Sequence, residues 1–274
     1  MKVPQDRGTP IELNRYRTWA KRFASFRQQV PEGRIRDWID GFKEEHHDII
    51  ARVLDCVDFI THDQMAEAFR RVLAGLEGWH QTKGKRTGEW RFVAYSASAG
   101  ESGDYMLTRF RHANNLAGNN YNELFIHRSD IVRADLGFDD TVVLVDDFVG
   151  TGNQAVDSWG MYEELLAEVG RVYLVLVAGT STAVARINSE TNLEAISHFY
   201  LTAEDNIFDD SCEPFTTDEK QVILDYCEKV DEAQPKGYGD CGLLVVFSHT
   251  TPNNTIPILG KRNNGIEPLF PRYD

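Results

Sequence analysis

Hydrophobic positions change their spacing along the chain, and the change divides it near residue 85. Over the first 80 residues they recur at helical spacing. The segments predicted as helices are residues 11–30, which Pro31 ends, residues 35–57, and a segment that begins after the candidate N-cap Thr61 and runs through Leu76. The polar, glycine-containing stretch 81–89 is predicted to be a loop. We therefore expect an N-terminal helical region at residues 1–85.

Strands and helices alternate from residue 86 onward. Several apolar runs are continuous, as in strands that are buried on both faces. The predicted strands are WRFVAYSA (90–97), ELFIHR (123–128), TVVLV (141–145), VYLVLVAG (172–179), ISHFYLT (196–202) and CGLLVVFSH (241–249), and the predicted helices are residues 105–112, 154–169 and 217–230. This alternation with short connections predicts an α/β fold with a parallel sheet, in one domain at residues 86–274.

Charged residues are distributed unevenly between the two parts of the chain. The net charge is -14, and residues 1–90 hold 16 Lys+Arg against 14 Asp+Glu, whereas residues 91–274 hold 13 against 29. The excess of acidic residues argues against non-specific electrostatic binding of nucleic acid by residues 91–274. Residues 203–241 contain 12 acidic residues against 3 lysines, so we interpret them as a solvated acidic insertion. Residues 249–274, rich in proline and turn residues, form a C-terminal extension.

Neither membrane insertion nor a disulfide framework is expected. No apolar stretch approaches the roughly 20 residues that a membrane-spanning helix needs, and the start lacks a secretory pattern. The four cysteines have no CxxC spacing, which favours reduced, mostly buried thiols. We therefore expect a soluble, cytoplasmic protein.

The stretch TVVLVDDFVGTGNQ, residues 141–154, carries the strongest chemical signal. A buried strand ends in Asp146 and Asp147, and the glycine-rich loop Gly150–Gln154 leads into a helix. Glycines and a helix N-terminus turn several N–H groups towards one point, which suits a phosphate. Two carboxylates would repel that phosphate, but they suit sugar hydroxyls or a divalent cation. The motif predicts a cradle for ribose 5-phosphate, with the acids on the sugar.

Three other interpretations fit parts of the same stretch. Residues 150–155 match the dinucleotide pattern G-x-G-x-x-A, although that loop normally follows its strand almost directly. An acid pair also occurs in phosphate-accepting receiver domains, but near the start of the domain. A strand end with a tight turn and solvated acids is the structural alternative.

At these residues the chain resembles the type I phosphoribosyltransferases. Their signature is an apolar strand, two acids, two apolar residues and a Thr/Gly-rich loop that ends in a helix. The resemblance implies a parallel-sheet core that binds phosphoribosyl pyrophosphate (PRPP) or a related nucleotide with Mg²⁺, which Asp146 and Asp147 hold indirectly. The ribose and 5′-phosphate site would comprise Asp146, Asp147, Gly150, Thr151, Gly152, Asn153 and Gln154.

The resemblance also implies a pyrophosphate loop after an earlier strand. Small residues stand in that place and let the backbone approach a charged ligand. The residues are Ser98, Ala99, Gly100, Glu101, Ser102 and Gly103, with Arg128 or Arg133 as the available cation.

The C-terminal extension resembles a bacterial subgroup of phosphoribosyltransferase-like proteins from anti-phage defence loci, including retron accessory proteins. The matching features are residues 249–255 after the last strand and the closing segment 268–272, although an aromatic residue is expected where Gly260 stands. His249 is a candidate acid/base or nucleobase contact at a strand end, and a structural histidine is the alternative.

Two classes of function remain open. An enzyme would displace pyrophosphate at the anomeric carbon, with Asp146 and Asp147 as catalytic residues, or cleave an N-glycosidic bond as a toxin. A sensor would bind the nucleotide without turnover and dock a reverse transcriptase with its RNA–DNA product through the N-terminal helices. Gln154 in place of a hydroxyl residue, the short 129–140 segment and Glu101 favour the sensor. An oligomer is expected in either case.

Overall fold

The computed structural model describes residues 11–95, 103–263 and 266–272. Within them, the helices are α1 Leu13–Arg22, α2 Glu32–Asp40, α3 His47–Cys56, α4 His62–Gly75, α5 Gly103–Ala113, α6 Asn153–Leu166, α7 Ser181–Glu190, α8 Thr217–Val230 and α9 Pro257–Gly260. The strands are β1 Asp58–Ile60, β2 Trp90–Ala94, β3 Thr141–Val145, β4 Phe148–Val149, β5 Arg171–Thr180, β6 Glu194–Leu201 and β7 Val245–Phe247.

The described chain separates into two compact units. The central unit comprises residues 63–202, and the terminal unit comprises residues up to 62 together with those from 203 onward. The predicted helical region 1–85 thus contributes to both units, with α1, α2 and α3 in one and most of α4 in the other. Tertiary contacts between the two ends of the chain, which no local pattern encodes, produce this grouping.

The central unit contains a five-stranded parallel sheet, which confirms the predicted α/β class. Strand β3 pairs with β2 on one side and with β5 on the other. Strand β4 pairs with the last part of β5, and β6 also runs parallel to β5. Because all the pairs are parallel, the strands end at one common edge, where open α/β sheets bind their ligands.

Burial explains why these segments became strands. All five residues of β3 are buried, and so are nine of the ten residues of β5. Such strands must be packed against other elements on both faces of the sheet, and the helices α5, α6 and α7 supply apolar side chains for this packing. The core on one face includes Val93, Leu144, Trp159, Tyr162 and Ile187.

The terminal unit is built around β1 and β7, which form a separate two-stranded parallel sheet. Aromatic and aliphatic residues from both ends of the chain share its core. The ring of Phe270 lies 4.9 Å from that of Phe23 and 5.3 Å from that of Phe26, centroid to centroid. The C-terminal extension is therefore part of a hydrophobic core that the first helices complete.

Two predicted helices are shorter than their hydrophobic pattern suggested. The first ends at Arg22, and the Arg27 N–H donates to the carbonyl of Ser248 at 2.7 Å. This tertiary bond replaces a helical one, although Phe23, Phe26 and Val30 are still buried. The second divides into α2, which ends at Asp40, and α3, which begins at His47 after a 3-10 helix, Glu44–His46.

Two other expectations about strands were wrong. Segment ELFIHR forms only an isolated bridge between Phe125 and Phe92, since a 3-10 helix, Asn119–Leu124, takes up its first residues. Strand β7 belongs to the small sheet rather than to the large one. Strand β1, three residues long, was missed because so short a segment shows no periodicity.

The acidic segment 203–241 is not simply solvated. Its helix α8 begins where the sequence predicted, behind a capping box in which Thr216 and Glu219 bond reciprocally. One face of α8 is buried in the core of the terminal unit. The buried apolar side chains of the segment are Ile207, Cys212, Phe215, Ile223, Tyr226, Cys227 and Val230. Asp231 is buried too and lies 2.6 Å from Nζ of Lys261, whereas the other acidic residues are exposed or half-buried on the outside of a packed element.

No helix among the described residues is both long and apolar enough to cross a membrane.

Candidate phosphoribosyl site

The acid pair lies where the ladder between β3 and β5 is interrupted. The Asp146 N–H still donates to the carbonyl of Val175 at 3.1 Å. The carbonyl of Asp147 then accepts from two successive N–H groups, those of Val177 at 3.1 Å and Ala178 at 3.0 Å. These two hydrogen bonds to one oxygen interrupt the regular ladder and separate β3 from β4. It places two acids at the end of an inner strand, as the sequence predicted.

The two carboxylates have different surroundings. Asp147 is buried and Asp146 is half-buried. The Asp147 N–H donates to Oδ1 of Asp146 at 2.9 Å, which fixes the direction of the Asp146 side chain. Asp146 and Asp147 lie between β3 and β4, at the carboxyl end of an inner strand. Carboxylate oxygens at this position are suitable acceptors for sugar hydroxyls.

The glycine loop has the backbone geometry that the motif predicted. Gly152 lies in the left-handed region with φ 75° and is the N-cap of α6. A Cβ at this position would also lie 3.2 Å from the carbonyl oxygen of Ala183, so the backbone conformation and the limited space both favour glycine. In the described part of the chain, the N–H groups of Thr151 and Gly152 donate no hydrogen bond to protein. These donors at a helix N-terminus suit an anion.

Helix α7 supports the loop through residues that the sequence reasoning missed. The Thr180 hydroxyl donates to the carbonyl of Gly150 at 2.6 Å and accepts from the Ala183 N–H at 3.1 Å. Arg186 donates from its guanidinium to Oδ1 of Asn153. An N-cap threonine after a buried strand was the available signal for Thr180. Nothing in the local pattern around Arg186 indicated its contact.

The predicted pyrophosphate loop is anchored at two described residues. Ser98, Ala99, Gly100, Glu101 and Ser102 lie outside the described residues, and Gly103 is the buried first residue of α5. A Cβ on Gly103 would lie 2.4 Å from the carbonyl oxygen of Tyr95. Tyr95 and Gly103, the described residues on either side of the predicted loop, therefore lie close together at the carboxyl end of β2.

The two candidate cations differ in their contacts. Arg128 is exposed, and its guanidinium carbon lies 5.6 Å from the ring centroid of Tyr162. Arg133 is almost fully exposed and lies 3.6 Å from Asp130. Tyr162 belongs to α6, so the contact of Arg128 ties it to the helix that follows the glycine loop.

His249 lies two residues after the end of β7 in the terminal unit and is buried. The expectation that its strand belongs to the large sheet was wrong, but its role as an acid/base stays a prediction. The missing aromatic residue at position 260 has a steric explanation. A Cβ on Gly260 would lie 2.8 Å from Thr251 and 3.0 Å from Arg272.

Arg272, at the end of the described chain, is half-buried. Burial lowers the pKa of its guanidinium to about 10. Its guanidinium donates to the carbonyl of Thr255, and its own N–H donates to the carbonyl of Gly260 at 2.9 Å. The last described residue of the extension therefore helps to hold the turn that follows β7.

The donor set at the strand end fits a cation that is held indirectly. In residues 11–95, 103–263 and 266–272, no group of three or more His, Cys, Asp or Glu side chains could hold a metal ion. Magnesium keeps several waters and is usually bound through one or two carboxylates plus substrate phosphates. Asp146 and Asp147 satisfy that requirement, and the magnesium site stays a prediction.

A parallel sheet with two acids at the end of an inner strand, followed by a glycine loop and a helix, defines a phosphoribosyltransferase-like α/β domain. The family model described as PRTase-CE matches residues 35–272. The chain therefore belongs to this family of phosphoribosyltransferases with a C-terminal extension. A search of curated proteins found no match.

Proposed function

We propose that the protein binds PRPP, or a related nucleotide that carries ribose 5-phosphate, at the carboxyl edge of the central sheet. The observation that carries this proposal is the arrangement around β3. An acid pair interrupts the ladder, and five residues after Asp147 the left-handed Gly152 caps α6, where the N–H groups of Thr151 and Gly152 donate no hydrogen bond to the described part of the protein. Family membership supports the same assignment.

Each part of the site has a distinct task in this proposal. The loop Gly150–Gln154 holds the 5′-phosphate through backbone N–H groups and the helix N-terminus. Asp146 and Asp147 accept hydrogen bonds from the ribose hydroxyls. The loop that follows Tyr95 and returns at Gly103 holds the pyrophosphate, and Arg128 offsets part of its charge.

Chemistry at the anomeric carbon follows from the same arrangement. Departure of pyrophosphate leaves positive charge on the sugar ring, and carboxylates that are already fixed in position stabilise that charge without reorganising. The bond from Asp147 N–H to Asp146 provides such fixing. When bound, Mg²⁺ would neutralise the leaving group. We propose transfer to a nitrogen base or cleavage of an N-glycosidic bond as the reaction.

Calorimetric titration with PRPP and Mg²⁺ tests the proposal. We expect saturable binding by the wild type and at least about tenfold weaker binding by Asp146→Asn/Asp147→Asn, since hydrogen bonds to charged groups contribute roughly 1.5–3 kcal/mol each. Asp157→Asn is the control, because it makes the same type of exchange, with the loss of one charge, at an exposed position on α6. Equal affinity of the wild type and the double variant, or no binding by the wild type, would refute the proposal.

A sensor without turnover is the second candidate, and the side chain at position 154 favours it. Gln154 is exposed in the first turn of α6, where the resemblance expects a small hydroxyl residue. Incubation with PRPP and a set of nucleobases separates the two candidates. Binding with pyrophosphate release supports the enzyme, and binding without release supports the sensor.

We also propose a biological setting from the resemblance of the C-terminal extension. The protein would act as an effector in bacterial anti-phage defence and associate with a retron reverse transcriptase and its RNA–DNA product. Helix α1 offers a basic surface, with Arg17 74% exposed and Lys21 also exposed. Copurification of the full chain with such a complex should fall for Arg17→Glu/Lys21→Glu. Unchanged recovery would exclude this surface, and no recovery with the wild type would exclude the partner.

A further inference from the structure

The polar loop that precedes β2 is folded around a tryptophan. The Arg86 guanidinium donates to the carbonyls of His80 at 2.7 Å and Gln81 at 2.8 Å. Its central carbon lies 4.6 Å from the ring centroid of Trp79, which is half-buried. The ring of Trp79 also contacts that of Trp90, the first residue of β2, with 5.2 Å between centroids. The loop is therefore fixed at the amino end of β2, whereas the acid pair lies at the carboxyl edge of the same sheet.

Trp79 lines a cavity of about 240 Å³ in the central unit. Pockets for drug-sized ligands measure roughly 300–1,000 Å³, so this cavity suits a smaller group. Aliphatic side chains of α4 and α5 form part of its wall, together with the polar residues Arg70, Gln81, Asn114 and Asn115. The side-chain amides of Gln81 and Asn115 form no hydrogen bond with the described part of the chain. An aromatic surface beside amide donors and acceptors suits a nucleobase.

Cations are concentrated in the segment that lines this cavity. Residues 70–86 contain five Lys+Arg against one Asp+Glu, although the net charge of the chain is -14. The five cations are Arg70, Arg71, Lys83, Lys85 and Arg86. Ion pairs offset part of this charge, since the first two share the carboxylate of Glu67 and Lys83 lies 2.9 Å from Glu123. Lys85 is exposed and takes part in no ion pair within the described residues.

We propose that this surface binds single-stranded nucleic acid, with one base in the cavity beside Trp79 and neighbouring phosphates on Lys83 and Lys85. Positively charged surfaces with an aromatic contact for a base are the usual means of binding single strands. Because it lies at the amino end of β2, the surface is separate from the proposed phosphoribosyl site and does not depend on it.

The same features favour a single strand over other anionic ligands. Several cations beside one cavity match a polymer, which presents a phosphate at each nucleotide, better than a free nucleotide. The aromatic and amide groups match a planar base with a hydrogen-bonding edge, which an acidic peptide lacks. A duplex keeps its bases stacked and paired, so none of them can enter the cavity.

Fluorescence anisotropy of a labelled single strand of about 12 nucleotides, titrated with the full chain at several salt concentrations, tests the proposal. We expect Lys83→Gln/Lys85→Gln to weaken binding. This variant should also reduce the slope of log affinity against log salt by about 1.4, since each phosphate contact contributes roughly 0.7 on a single strand. An unchanged slope would overturn the proposal, and so would absence of binding by the wild type.

Lys43→Gln/Lys229→Gln is the matched control, because it removes two lysine charges from exposed positions in the terminal unit. It is expected to leave the salt slope at the wild-type value. A reduction as large as that of Lys83→Gln/Lys85→Gln would show that only the overall charge matters, and would also overturn the proposal.

Gln81→Ala/Asn115→Gly tests the cavity apart from the charge. Asn115 has φ 56°, which glycine adopts without strain, and Gln81 is exposed, so the fold should be retained. We expect at least about fivefold weaker binding, the effect of losing two hydrogen bonds to a base, with an unchanged salt slope. Wild-type affinity in this variant would overturn the placement of a base in the cavity.

Competition against the labelled strand identifies the chemistry of the ligand. The unlabelled strand should displace it at a lower concentration than a duplex of the same sequence, a mononucleotide or polyglutamate. Equal displacement by the duplex would mean that no base enters the cavity, and equal displacement by the mononucleotide would assign the cavity to a free nucleotide. Equal displacement by polyglutamate would reduce the surface to a general anion site. Each of these three results would overturn the proposal.

Discussion

Phe270→Ala is expected to lower the free energy of unfolding by about 3–5 kcal/mol, the usual cost of removing a buried phenylalanine side chain. Phe270 is fully buried in the terminal unit. Its ring contacts those of Phe23, Phe26 and Phe59, with centroids 4.9, 5.3 and 6.3 Å away. The truncation would leave a cavity that aromatic residues from the other end of the chain line. Chemical denaturation followed by near-UV circular dichroism measures the change.

Phe138→Ala is the matched control for this experiment. Phe138 is 79% exposed, so the same truncation there should change stability by no more than about 0.5 kcal/mol. Similar small effects for both variants would mean that the C-terminal extension does not belong to the core of the terminal unit.

Gly103→Ala is expected to weaken PRPP binding by more than about tenfold and to destabilise the chain by about 1–3 kcal/mol, the cost of overpacking. The added Cβ would lie 2.4 Å from the Tyr95 carbonyl oxygen and 3.3 Å from the Ala94 Cβ. Since the nearest contact is backbone, α5 or the end of β2 must move. Both elements border the predicted pyrophosphate loop. Calorimetric titration and thermal unfolding measure the two effects.

Gly160→Ala provides the control, since nothing lies within 4 Å of a Cβ built on this helical residue. This substitution should stabilise α6 by about 0.5–1 kcal/mol. If Gly103→Ala bound PRPP like the wild type and unfolded at the same temperature, the close return of the chain at Tyr95 would be wrong.

The central sheet was readily predicted because its signals are local. Strand β3 is a continuous apolar run, and the helix after it begins one residue from the predicted start. Glycines in the loop before this helix indicated a tightly curled backbone, and Gly152 has a left-handed conformation that few other residues adopt. Two acids directly after a buried strand indicated a binding site, and Asp146 and Asp147 lie at the carboxyl edge of the sheet, where such folds bind ligands.

Other features could not be read from local pattern, because residues far apart in sequence create them. Thr180 at the end of β5 and Arg186 on α7 contact the glycine loop, and the hydrogen bond between the hydroxyls of Tyr95 and Ser158 joins residues 63 positions apart. The end of α1 depends on a bond from Arg27 to Ser248. Hydrophobic spacing predicts which side chains are buried, but it does not predict which distant segment buries them.

The central claim is that the β3–α6 junction binds the phosphate and hydroxyls of one ribose 5-phosphate. A crystal structure of the chain with ribose 5-phosphate tests it most directly. We predict the phosphate oxygens within about 2.7–3.2 Å of the N–H groups of Thr151 and Gly152, and the ribose hydroxyls on Asp146 or Asp147. A phosphate bound elsewhere, or a sugar whose hydroxyls face away from both acids, would contradict the claim.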